Sequence, residues 1–195
     1  MMVRGWLPEA DARSLYKQLL KTQDDSGYEL LVADINASLT LVQLQLRRLK
    51  FQLDDVWYVG LVNLVSDDVS KQAGTQLTHE QLNFYRTIIE AIALLPDAEE
   101  GKGEISSTQI LNLSPGSQAT QASQAEGSQQ AVGKKLTMAQ KQETLLQLVK
   151  EGWLWHMPGR AGYYSIGVRT FLEMPEYLMA LELPDETRAA WEKFL

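Results

Sequence analysis

"GEISSTQILNLSPGSQATQASQAEGSQQAVGKKLTMAQKQ", residues 103–142, holds two helix starts on either side of polar filler. In "ISSTQI", Ser106 and Gln109 have the spacing of a capping box, in which each side chain satisfies the other residue's main-chain N–H, and Ile105 and Ile110 have the spacing of a hydrophobic staple. In "TMAQ", Thr137 and Gln140 repeat the box. Residues 114–133 between them are rich in Gln, Ser, Ala and Gly, and Val132 is their lone branched aliphatic. Such a composition cannot bury enough apolar surface to offset the entropy of ordering itself. A surface loop lengthens at little cost, because closure entropy grows only with the logarithm of loop length. Residues 114–135 are therefore expected to be a disordered insertion inside one domain, not a linker between two.

Outward from this stretch, the signals fall in a fixed order. Thr78 and Gln81 in "LTHEQL" form another capping box with Leu77 and Leu82 as its staple. Leu82, Tyr85, Ile88, Ile89, Ile92 and Leu95 then give one helical face that Pro96 ends. On the other side, a helix buries Leu145, Leu148 and Val149 and stops near Gly152. "WLWHMPGRAGYYSI" reads as two short strands about a Pro-Gly-Arg-Ala-Gly turn, with Trp153 in the core, and "GVRTFLEMPEYLMALEL" as a helix bent or restarted at Pro175. Helix, short strand and helix, helix, hairpin is the order of a winged helix-turn-helix, expected over residues 78–183.

The N-terminal part reads as a smaller version. "PEADARSLYKQLLKTQ" has Ala12, Leu15, Tyr16, Leu19 and Leu20 at helical spacing, "DDSG" breaks it, and "YELLVADINASL" predicts a second helix. Val42, Leu44 and Leu46 then alternate with polar residues, "QLDD" is a turn, and "VWYVGLVNLV" is a β-branched and aromatic strand in which Gly60 marks a bulge or a close backbone approach. The predicted fold class is α+β, mostly helical, with tandem winged-helix domains. Their expected bounds are 1–65 for the first, 66–77 for a connector, 78–183 for the second and 184–195 for a tail.

Composition excludes several chemistries. The net charge is −7, so the chain as a whole repels phosphate. There is no Cys, and His79 and His156 are the sole histidines, so no zinc site and no catalytic residue is expected in this chain. Asp97, Glu99, Glu100 and Glu104 read as a solvated loop, and no phosphate-binding or nucleophile-elbow motif occurs. No run approaches the ~18 apolar residues of a spanning helix, and the N-terminus turns polar before any signal-peptide core.

Two interaction surfaces are candidates. Leu44, Leu46, Leu49, Phe51, Trp57 and Val59 are much apolar material for a small unit, and two helices with a hairpin cannot cover both faces of a sheet. These six are predicted to bind a partner protein together with the neighbouring helices. The alternative is DNA binding through the helix at 138–151 and the wing at 154–166, with Lys134, Lys135, Lys141, Lys150 and Arg160 as contacts and Glu143 and Glu151 diluting the patch.

"YVGLVNLVSDDVSKQAGTQLTHEQLNFYRTIIEAI", "ISSTQILNL", "KLTMAQKQETLLQLVKEGWLW" and "GVRTFLEMPEYL", between about residue 28 and residue 183, resemble the non-SMC element 1 family of the SMC five/six complex, in the form of its plant-type members. The resemblance implies tandem winged helices, the second split by a variable loop, followed by a RING-type zinc domain with ubiquitin ligase activity. It also implies a MAGE-domain subunit and a kleisin subunit as partners, indirect DNA association through the complex, and nuclear work in DNA repair by homologous recombination. Where the family's first RING cysteines stand, this chain reads "LPDETRAAWEKFL", so zinc and ligase activity are expected outside it. The stretch before "YELLVADIN" is also shorter than the family's by about one helix. The function expected of these residues is that of an interaction scaffold.

Overall fold

The computed structural model describes residues 5–64, 77–95, 103–114, 135–193 and 195. Residues 115–134 of the insertion expected over 114–135, the connector up to residue 76, Pro96, Asp97, Glu99, Glu100 and Lys134 lie outside the described residues.

The first unit runs β1 (Trp6–Pro8), α1 (Glu9–Leu20), α2 (Tyr28–Leu39), a 3-10 turn (Thr40–Val42), β2 (Leu44–Lys50) and β3 (Trp57–Asn63). After α3 (His79–Ala93) the same order returns as β4 (Ile105–Ser106), α4 (Ser107–Asn112), α5 (Met138–Lys150), β5 (Leu154–His156) and β6 (Tyr163–Ile166). Then follow α6 (Val168–Glu173), α7 (Pro175–Ala180) and α8 (Asp185–Trp191). In each unit the short first strand pairs antiparallel with the last strand of the hairpin, giving the sheet orders β1-β3-β2 and β4-β6-β5.

Local chemistry sets these boundaries. Thr78, Ser106 and Thr137 each accept from the main-chain N–H three residues on, and the Gln side chain there returns the bond, so all three capping boxes form. Leu77, Leu82, Ile105 and Ile110, the staple residues, are buried. Pro175 occupies the first turn of α7, where its missing N–H costs nothing, so the closing helix restarts there as expected. β1 has no sequence signal, because its short run is too brief for a period to show.

One hydrophobic core joins the units. Leu49, Phe51, Tyr58 and Val62 of the first hairpin pack in the same cluster as Ile88, Ile110, Leu148, Leu154, Phe171 and Trp191. The helices on the two sides of residues 115–134 thus share a single interior. α6 crosses the first sheet at Gly60, where an added Cβ would stand 2.9 Å from Leu172 Cδ1, and this is the close approach that Gly60 signalled. Arg47 donates to the Leu172 carbonyl at 2.9 Å beside it. The sheet face expected to lack cover is therefore covered from within the chain.

Residues 185–191 also differ from the expected tail. They form α8, whose Trp191 is fully buried with its ring 5.6 Å from that of Phe171. Arg188 donates to the carbonyls of Met179 at 2.6 Å and Leu181 at 2.9 Å, satisfying the end of α7.

At the opposite end, Trp6 reaches the second unit. Its indole Nε1 donates to the Glu151 carbonyl at 3.2 Å, just past α5. Gly152, at φ +82°, leaves the room, since a Cβ there would fall 2.5 Å from the Trp6 ring. Gly152→Ala is expected to lower stability by about 2 kcal/mol through backbone strain and displacement of Trp6. Urea unfolding followed by tryptophan fluorescence measures it.

Candidate docking face

Alternation along β2 sends Arg47 and Leu49 toward α6 and the second unit, and Leu44, Leu46 and Arg48 toward α1 and α2. This division sorts the six residues predicted to bind a partner. Leu49 and Phe51 are buried in the shared core, Phe51 with its ring 5.0 Å from Trp155 and 6.3 Å from Phe171. Val59 is buried within the first sheet. These three have no surface to offer, which corrects their assignment. The physical reason is that α6 supplies for Leu49 and Phe51 the cover a partner was expected to bring, while Val59, paired with Arg48, lies on the side of the sheet that α1 and α2 cover. Leu44 and Leu46 are half-buried, and Trp57 is 46% exposed with the Arg48 guanidinium 5.0 Å from its ring centroid. Trp57 is thus the large exposed aromatic of the hairpin.

The layer on the other side of the first sheet is thin. Its core is Ala12, Tyr16 and Tyr28, with Leu7 and Val32 packed against them. Polar contacts do the remaining anchoring. The Glu9 carboxylate, buried, accepts from Arg13 at 2.8 and 3.1 Å and from Arg48 at 2.7 and 3.0 Å. Glu29 takes the same two arginines at 2.5 and 3.4 Å, so one quartet ties α1, α2 and β2 together. Fork-shaped guanidinium groups suit such shared carboxylates.

Asn36 adds a second mooring. Its Oδ1 accepts from the Leu46 N–H at 2.7 Å and its Nδ2 donates to the Leu46 carbonyl at 3.1 Å. β2 is an edge strand, and this side chain takes the main-chain pair that another strand would otherwise seek.

Held this way, α1 and α2 leave their apolar side chains outward. Among the described residues, ten of the thirteen exposed large hydrophobics lie before residue 65: Leu15, Leu19, Leu20, Leu30, Leu31, Leu41, Val42, Val56, Trp57 and Leu64. Leu19 and Leu30 are each 71% exposed and Leu41 is 88% exposed. Tyr28 is the sole buried residue of α2, although Leu30, Leu31, Val32, Ile35 and Leu39 spread apolar side chains over more than one face of that helix. A helix with so wide an apolar surface is normally buried, and that width is the sequence signal for this face. Exposed apolar side chains concentrated in this way on two helices mark a protein interface.

The DNA alternative fares differently. Lys141 Nζ donates to the carbonyls of Leu111 at 2.9 Å and Leu113 at 2.6 Å, closing the end of α4, and burial lowers the pKa of its ammonium. Arg160 pairs with Glu104 and lies 4.0 Å from the Tyr163 ring centroid. Lys135 and Lys150 are exposed at the two ends of α5, while Met138 and Leu146 are exposed along it. Of the expected DNA contacts, Lys141 is thus spent on a helix end, and Arg160, though exposed, is held in an ion pair.

Phe51→Ala is expected to destabilise by about 3–5 kcal/mol, as for a core phenylalanine. Glu9→Ala is expected to cost about 2 kcal/mol, because two arginines lose their charged acceptor. Equilibrium denaturation of each variant checks both values.

Comparison with known proteins bears on what covers this face. A family model described as the Nse1 non-SMC component of the SMC5-6 complex matches residues 1–174. A solved chain from an Nse1-Nse3-Nse4 complex is similar in fold, with a TM-score of 0.71 at 23% sequence identity, covering 92% of this chain and 69% of that one. No curated protein matches.

Proposed function

We propose, from the premise that this chain belongs to the Nse1 family of non-SMC components of the SMC5-6 complex, that it is a docking subunit whose α1–α2 face takes a MAGE-domain subunit. The observation that carries this is the outward apolar surface of two helices resting on a very small core of their own. The similar solved chain comes from a complex with Nse3 and Nse4, the MAGE and kleisin subunits, and we extend both partners to this chain.

In this reading each unit is a winged helix. The repeated order of strand, helix, helix and hairpin, with the same pairing of first and last strands, supports it. Work in the nucleus, on chromatin and in recombinational DNA repair, follows from membership of a chromosome-maintenance complex. The ligase chemistry expected of the family needs cysteine-bound zinc, and these 195 residues contain no Cys, so their own part is to hold partners. DNA contact belongs in this reading to the assembled complex, because Lys141 is taken up capping α4 and Arg160 is held in an ion pair with Glu104.

Leu19→Glu and Leu30→Glu place charge on the face without touching the core. Each is expected to weaken the complex with the MAGE-domain subunit by about thirty-fold or more, the size of an interface hot spot. Circular dichroism and the melting temperature of the chain should stay as in the native protein. Native affinity in both variants, measured by titration calorimetry, would refute the docking reading.

A further inference from the structure

The outer side of α2 carries acids but no base. From Thr22 to Leu46 there is no Lys or Arg, against Asp24, Asp25, Glu29 and Asp34. The first three are engaged within the chain. Asp24 accepts from the Ser26 N–H and hydroxyl, Asp25 lies 3.8 Å from Arg13 and from Lys17, and Glu29 belongs to the arginine quartet. The Asp34 carboxylate has no ion pair or hydrogen bond among the described residues. It is exposed midway along α2, one turn from Leu30 and near Ala33 and Ala37.

A partner that covers Leu30 and Leu31 also takes Asp34 out of water. A carboxylate moved into such a site without a cation is strongly disfavoured, and nothing in this stretch of the chain can neutralise it. The partner must then bring the cation. We propose that Asp34 is the specificity-determining residue of the α2 face, and that its partner seats a Lys or Arg against it inside an apolar patch. This rests on the docking reading above. Surfaces that are apolar but lack the base would be rejected, because they would bury Asp34 unpaired.

The test is titration of the full chain with purified MAGE-domain subunit at low and high salt, using the native protein, Asp34→Asn, Asp34→Leu and Leu30→Glu. Circular dichroism confirms that the exposed substitutions leave α2 folded. Asp34→Asn and Asp34→Leu are each expected to weaken binding by about thirty-fold, as for truncation of one partner in a buried charge pair. They should also flatten the loss of affinity between low and high salt. The opposite sign is equally informative. Without a facing cation, Asp34→Leu removes a lone buried charge and adds apolar area, so unchanged or tighter binding overturns the proposal while loss of binding in Leu30→Glu leaves the docking face standing. Native affinity in Leu30→Glu would instead remove the face itself, and this inference with it.

Discussion

The passage of α6 over Gly60 is the contact on which the rest of the architecture depends. A three-stranded sheet with apolar residues on both sides needs two layers to cover it, and the chain supplies the second layer from residues more than a hundred positions away. Gly60 lets Leu172 come close, Arg47 binds the Leu172 carbonyl, and Phe51 fits among Trp155 and Phe171. The two units therefore share one interior instead of touching across a polar seam. Trp6, lodged beside Gly152, closes the same joint from the N-terminal side.

That closure decides which surface remains free. With one sheet face sealed by α6, the opposite face is left to α1 and α2, whose own core is Ala12, Tyr16 and Tyr28. So small a core would let the helices slide, and directional contacts prevent it: the Glu9–Arg13–Arg48–Glu29 quartet at one end of α2 and Asn36 against Leu46 further along. Polar interactions fix position without consuming apolar area. The leucines of both helices can then stay outward on a firm base, which is what a preorganised docking surface requires.

Legibility in the sequence followed the range of the interactions. Capping boxes at Thr78, Ser106 and Thr137, the restart at Pro175 and the hairpin strands all rest on neighbours within a few positions, and their spacing is visible in the chain. Alternation along β2 likewise shows that the strand has two faces. It does not show which face is covered by what, because the covering residue for Arg47 lies 125 positions on and that for Trp6 lies 145 positions on. Hence Leu49, Phe51 and Val59 read as interface when they are core. α8 was hidden for a similar reason: Thr187 and Trp191 mark one helical face, but the cavity that Trp191 fills is built by distant Phe171. The docking helices carry a readable signal in the wide apolar surface of α2, interrupted by Asp34, whereas the quartet that orients them joins residues 9, 13, 29 and 48 with no periodic relation.

The placement of cations separates a protein-docking surface from a nucleic-acid one in this chain. With a net charge of −7, cations are the scarce species, and each has acids and free carbonyls competing for it. Arg13 and Arg48 go to Glu9, Arg169 to Glu173 at 2.6 Å, and Arg188 and Lys141 to helix-end carbonyls. The case of Lys141 is instructive: α4 is short, its last carbonyls point at α5, and a lysine there both satisfies them and opposes the negative end of the helix. A base in the position of a DNA-reading helix therefore acts as a cap. The outer side of α5 carries Met138, Gln142 and Leu146 beside an exposed Glu143 and Lys150, so apolar and acidic groups dilute the charge it offers a phosphate. With Lys141 and these arginines engaged within the chain, the α1–α2 face presents apolar area and the Asp34 carboxylate, and those select a protein surface that is apolar and basic over the uniformly anionic surface of a duplex.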